Sequence, residues 1–220
     1  MVREPLLDQP TPDPNTPEGR ATIEKTKRFM QELGEFISMF TGMEGVLFSL
    51  LGTLAQVPPA IARALFADAR IDTAMTSIRR VLAARQKIVG KTEFETRLEA
   101  VIIPVLEQTA VINSVRNHII HHGMAGSPVD APIASNWVRA RSPDQIVEIP
   151  LSAESLKDMT SDIGRSFGIV TYVVMALTPN FPKSGDEITL AEKMLREKPW
   201  LYKSPLQGGK KGKTSNKTPK

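Results

Sequence analysis

The stretch Val111–Met124 reads VINSVRNHIIHHGM, and it contains every histidine of the 220-residue chain: His118, His121 and His122. Its apolar residues Ile112, Val115 and Ile119 recur at three- and four-residue steps, which is one face of an α-helix and not the alternation of a strand. Followed backwards, the same face takes in Leu98, Val101 and Val105. One long helix is therefore expected from about Phe94, with Gly123 as its left-handed stop. Pro104 lies inside this run and allows a kink or a later start.

The same periodicity organises the flanks. Phe29, Leu33, Phe36, Phe40, Leu47, Leu51 and Leu54 mark a first helix that begins near Ile23 and ends before Pro58-Pro59. A short helix follows over Ile61 to Phe66. Another is defined by Ile71, Met75, Ile78 and Leu82 and ends near Gly90. After the histidine-bearing helix, the runs Trp137–Arg141 and Gln145–Ile149 alternate about the turn residues Ser142, Pro143 and Asp144, and read as a small β-hairpin. Ser152 can cap a final helix whose stripe is Leu156, Met159, Ile163, Phe167, Val170, Val174 and Leu177. The expected fold is all-α: a bundle of four to five helices over residues 21–180, with the hairpin inserted before the last helix. Residues 1–20 read as a disordered, proline-rich leader, and residues 181–220 as an extended, lysine-rich tail.

Composition narrows the chemistry. The chain has no cysteine, which removes disulfides, thiolate metal sites and cysteine nucleophiles from consideration. The most apolar region, Phe36 to Phe66, is interrupted by Glu44, Pro58, Pro59 and Arg63. It reads as core helices, so a soluble cytoplasmic protein with no membrane partner is expected. Lys203, Lys210, Lys211, Lys213, Lys217 and Lys220 carry six positive charges in a final stretch without acids; removing them from the net +4 leaves about −2 on the rest. The body is thus not a basic protein. The tail reads as a solubilising segment with weak attraction for phosphate.

Two charges stand where apolar packing expects none. At about 100° per residue, Arg116 projects onto the centre of its helix's apolar stripe, in line with Leu98 and Val105. Glu44 projects onto the stripe of the first helix, in line with Leu33, Phe40 and Leu51. Neither charge can be buried alone, so the two are expected to meet where these helices pack. Such a pair can simply hold a bundle in register. Asn113, Asn117 and His121 follow one another at four-residue steps along the shoulder beside Arg116, whereas His118 and His122 project away. On the first helix, Gly34, Ser38, Gly45, Ser49 and Gly52 form a small-residue face that lets another helix approach closely, within the chain or across a two-fold axis.

Arg116-Asn117-x-x-x-His121 resembles the R-x(4–6)-H signature of the HEPN superfamily, including the polar residue that commonly follows its arginine, and RNHIIHHG resembles the ending of that family's motif helix. The resemblance covers roughly residues 23–178. It implies a metal-independent endoribonuclease of a toxin–antitoxin or defence system, without cofactor, acting as a homodimer on single-stranded or loop RNA. An antitoxin or other regulatory protein would be a partner. It further implies Arg116, Asn117 and His121 as catalytic residues, supported by Glu44. The residue types suit the chemistry: an imidazole exchanges protons near neutral pH, and a guanidinium offers a planar fork of donors to phosphoryl oxygens. Two other readings stay open. His118, His121 and His122 could share a metal, although no carboxylate lies near them in sequence. The motif could also serve a helical interaction or RNA-binding module that cleaves nothing.

Overall fold

Thr16 begins the first helix: its hydroxyl accepts the N–H of Gly19 at 3.0 Å, and Pro17 occupies the first helical position, where no N–H is needed. The computed structural model describes residues 12–66, 69–122, 124–125, 132–136, 141–142, 145–179 and 186–205. From Thr16 the helix α1 runs as Pro17–Leu54, so residues 17–20 of the expected leader are helical, and the leader's first eleven residues lie outside the described set. Gln56 closes α1 at a φ of 55°, a left-handed conformation that side chains seldom adopt. Pro59 then opens α2, Pro59–Phe66.

The remaining elements are α3 (Ile71–Val89), α4 (Glu93–His122), β1 (Met124–Ala125), β2 (Ile133–Ser135), β3 (Glu148–Pro150), α5 (Ala153–Leu177) and α6 (Glu187–Glu197). The helix α4 continues through Pro104; the carbonyl deprived of its donor belongs to Ala100, an exposed residue. Ser152 caps α5 in a reciprocal box with Ser155. The fold is an all-α bundle with a small antiparallel sheet between α4 and α5. By length and composition α1 and α4 could each cross a membrane, but in the bundle Leu98, Ile102, Val105, Leu106, Ile112 and Val115 of α4 are sealed in the core.

That core also takes Phe36, Phe40, Met43, Leu47 and Leu50 of α1, and Leu156, Met159, Ile163, Ile169 and Val173 of α5. Phe167 falls outside it at 38% exposure, since the inward face of α5 turns there to Ser166, Ile169 and Val170.

The expected small antiparallel hairpin before α5 is present as β2 and β3, with a first strand earlier in the chain than expected. The sheet has the order β1-β2-β3, with Ala134 opposite Ile149 and Met124 opposite Ala134 on the other side. Of the expected hairpin strands, Glu148 and Ile149 pair with Ser135 and Ala134 and the carbonyl of Val147 accepts the N–H of Asn136, whereas Trp137 to Ala140, Pro143 and Asp144 lie outside the described residues. Pairing falls where it can bury Ala134, Ile149 and Leu151. The expectation for residues 181–220 needs correction, since its described part, 186–205, is not simply extended. Asp186 caps α6 through the N–H of Thr189, and Ile188 and Ala191 enter the core. Arg97 of α4 clamps α6 with two bonds to Glu192, at 2.9 and 3.2 Å, and a third to Thr189 at 2.7 Å. The Arg97 bond holds Glu192 below its ordinary pKa, and the Thr189 hydroxyl does the same for Asp186.

Beyond α6 the chain is anchored by Asp162, which is 1% exposed. Its carboxylate accepts the side-chain amide of Gln108 at 2.9 Å and the backbone N–H groups of Leu201 and Tyr202 at 3.0 and 2.9 Å. Arg165 lies over the Trp200 ring, 3.9 Å from its centroid, and donates to the carbonyl of Lys198. Burial lowers the pKa of Arg165, while Asp162 pulls it back. Replacing Asp162 by alanine leaves the N–H groups of Leu201 and Tyr202 without an acceptor inside the protein, and Gln108 with the carbonyl of Tyr202 alone. The expected loss is roughly 3–5 kcal/mol in urea unfolding. A loss below about 1 kcal/mol would mean that the segment from Lys198 to Ser204 docks without this anchor.

Candidate active site

One turn of α1 builds the seat for Arg116. Phe40 and Glu44 are four residues apart and therefore share a face. The Arg116 guanidinium carbon lies 5.5 Å from the centroid of the Phe40 ring, and its Nη2 lies 3.6 Å from Glu44 Oε1. Nη1 donates to Asn117 Oδ1 at 3.2 Å. The two stripe charges thus meet as the projection expects. They are not sealed, since the side chains of Arg116 and Glu44 keep 21% and 27% of their exposure. At 3.6 Å the pair is an ion contact without a close hydrogen bond.

The motif histidine lies outside this seat. Arg116 and His121 are separated by five residues, or about 140° around α4. His121 is exposed, and its side chain makes no hydrogen bond to any described residue. Asn117 links the two, bonded to Arg116 and one turn from His121 on the same row. His118 is half-buried with its Nδ1 at 2.7 Å from the carbonyl of Ser114, so it is held to its own helix. Asn113, the first of the ridge, is 2% exposed and faces α3, where its amide donates to Asp72 at 2.7 Å. The structure therefore brings Glu44, Arg116 and Asn117 together. It leaves His121 open to solvent beside them and gives Asn113 to a helix joint.

Sequence reasoning missed the Phe40 ring beneath the guanidinium, although Phe40 stands one turn before Glu44. It also missed the tightest ion pair. Arg85 reaches Glu95 at 2.6 Å across the α3–α4 turn, with Glu95 only 3% exposed, and its other arm reaches the carbonyl of Leu54 at 3.4 Å. Their symmetric placement about Gly90 was the available signal. Among the described residues no cluster of three or more His, Asp or Glu could hold a metal.

A hollow of about 510 Å³ lies elsewhere, between the second half of α1, α2 and the end of α5. Phe48, Val57, Pro59, Phe66 and Val174 line it, with Arg63 as its one charge among the described residues. Its described lining contains no group able to exchange protons at neutral pH and does not include Glu44, Arg116, Asn117 or His121. The small-residue face of α1 is divided. Gly52 is buried, and a Cβ there would stand 3.0 Å from that of Ala62, whereas Gly34 and Gly45 are exposed with nothing within 4 Å of a Cβ.

No family model, curated protein or solved structure matches the chain.

Depth sets the energetic ranking of the two ion pairs. Glu95→Ala strands a guanidinium from a partner that is almost fully buried and is expected to lose about 3 kcal/mol. Glu44→Ala acts on a half-exposed, screened contact and is expected to lose about 1 kcal/mol or less. Chemical denaturation of both variants checks the order, and an equal or reversed pair of losses would contradict it.

Proposed function

We propose that the chain is a metal-independent endoribonuclease of HEPN type, acting as a homodimer on single-stranded or loop RNA. Arg116 carries this reading. Its guanidinium is fixed by Glu44 and Phe40 yet keeps 21% of its exposure, with exposed His121 on the adjoining row. In the proposed step an imidazole takes the 2′-OH proton as that oxygen attacks the neighbouring phosphorus. The bond from phosphorus to the 5′ oxygen breaks, and the leaving oxygen receives a proton from an imidazolium. The products are a 2′,3′-cyclic phosphate and a 5′-OH, and neither water nor metal enters the balance. Arg116 stabilises charge on the non-bridging oxygens. Asn117 accepts from Arg116 through Oδ1, which leaves its amide N–H groups to donate to the phosphate.

One histidine on the row cannot be base and acid at once, and a second copy supplies the other. Gly45 follows Glu44 in sequence and lines the apolar hollow of α1, and a Cβ there would meet nothing within 4 Å among the described residues, which leaves room for a helix of a second copy. An exposed helical glycine is destabilising by about 1 kcal/mol relative to alanine, and among the described residues nothing lies within 4 Å of a Cβ at Gly34 or Gly45 to compensate for it. A toxin or defence role, with an antitoxin or other regulatory partner, belongs to the same reading.

A second reading is favoured by one specific observation: Arg116 and His121 do not touch, and Arg116 already has an anion. It makes the chain a helical module that binds RNA or protein without cleaving. Cleavage separates the two. With total RNA as substrate, His121→Ala and Arg116→Ala are expected to reduce cleavage at least about a hundredfold, with circular dichroism unchanged, while EDTA has no effect and products end in cyclic phosphate. Activity that survives His121→Ala, or that requires a divalent cation, would sink the assignment. For the dimer, light scattering at micromolar concentration is expected to give twice the chain mass, and Gly45→Arg to return it to one chain mass with helix content intact. A wild-type protein of single chain mass would count against the dimer.

A further inference from the structure

Lys87 to Phe94, KIVGKTEF, are eight consecutive exposed residues at the turn between α3 and α4. Three are large and apolar. Ile88 is 84% exposed, the highest value for such a side chain among the described residues, Val89 is 57% exposed and Phe94 is 39% exposed. This exposure is not the fraying of a loose end. One turn before the tip, Arg85 is bonded to Glu95 and to the carbonyl of Leu54, and Gln86 is bonded to Glu99 at 2.6 Å. Gly90 reverses the chain at a φ of 85°, a conformation open to glycine and strained for other residues. The result is a braced, convex apex whose apolar pair faces outward.

The charges around the apex indicate what it meets. Lys87 and Lys91 bracket Ile88 and Val89, and neither forms an ion pair with a described residue. Glu93 is the single acid of the run. The apolar pair needs a medium that excludes water, and the lysines immediately beside it need anions. A bilayer surface presents both at the right depths, with acyl chains beneath a layer of phosphates. A protein pocket would have to be concave and acid-rimmed to receive a convex tip, whereas lipid deforms around it.

We propose that the α3–α4 turn is a membrane-contact tip: Ile88 and Val89 enter the interfacial region of an anionic lipid surface, with Phe94 at the rim, while Lys87 and Lys91 pair with headgroup phosphates. Such a contact is interfacial and requires no spanning helix. It departs from the sequence expectation of no membrane partner, which rested on the absence of an uninterrupted span. The lysines beyond residue 205 carry charge of the same sign and add attraction that does not depend on the tip. The inference is independent of the proposed ribonuclease activity.

Cosedimentation of the full chain tests it, using phosphatidylcholine vesicles with about 30% phosphatidylserine and vesicles of phosphatidylcholine alone. The wild type is expected to bind the anionic vesicles and to bind the neutral ones more weakly. Ile88→Ser with Val89→Ser is expected to lower affinity for the anionic vesicles about tenfold or more, with circular dichroism unchanged. Lys87→Gln with Lys91→Gln is expected to weaken binding to the anionic vesicles alone. Binding unchanged in the double serine variant would overturn the proposal and assign the attraction to the tail. Absence of wild-type binding to either vesicle would overturn it too, and would leave the tip to a protein partner.

Discussion

A charged or amide side chain in the seam between two helices needs a partner there to the extent that packing keeps water away and leaves its desolvation uncompensated. The helix α4 applies this constraint to almost every neighbour it has. Glu95, Glu99 and Asn113 bond Arg85, Gln86 and Asp72 of α3. Arg97 bonds Glu192 and Thr189 of α6. Gln108 bonds Asp162 of α5 and the carbonyl of Tyr202 beyond α6, and Arg116 meets Glu44 of α1. Between these positions Leu98, Ile102, Val105, Leu106, Ile112 and Val115 are fully buried. Apolar burial supplies the larger stabilisation but has no direction. The polar contacts set where along α4 each neighbour sits.

The long helices were legible because a 3.6-residue period sustained over many turns admits one reading. Arg116 and Glu44 were legible for the complementary reason: each breaks such a period at its centre. Asp162 carries the same signature, an acid between Met159 and Ile163, but it was not read, because its partners are mainly backbone N–H groups that no side-chain pattern announces. The helix α6 was hidden by its surroundings. Its apolar positions Ile188 and Ala191 are few, and the flanking prolines and lysines give the whole segment the composition of a tail. Of the sheet, the hairpin was legible and the strand β1 was not, because a strand of two residues is too short to alternate.

Projection onto a helix gives direction and not depth. Glu44 and Arg116 point where they should, yet their side chains keep 27% and 21% of their exposure. For the proposed function this shallowness matters. A guanidinium sealed in the core could bind no phosphate, whereas one held at the edge by a ring and a loose carboxylate can exchange a partner at 3.6 Å for a stronger anion. The same shallow contact leaves the burden of holding α4 in place to Glu95, Arg97 and Gln108, nearer the other end of the helix.

The anchoring of the chain beyond α6 has a consequence for how the protein acquires its structure. Arg85 and Glu95 are ten residues apart in sequence, so the α3–α4 hairpin can form from local contacts alone. Gln108 and Tyr202 are 94 apart, and Arg97 and Glu192 are 95 apart. Those contacts close the largest loops and must wait for the last-made helix. During synthesis α4 therefore emerges and meets α3 and α1 while Arg97 and Gln108, whose partners come later in the chain, are still hydrated. Gln108 and the face around it stay wet until Trp200 and Tyr202 arrive. The order of appearance along the chain is thus also an order of dehydration, and the middle of α4 is the last part of the bundle to dry.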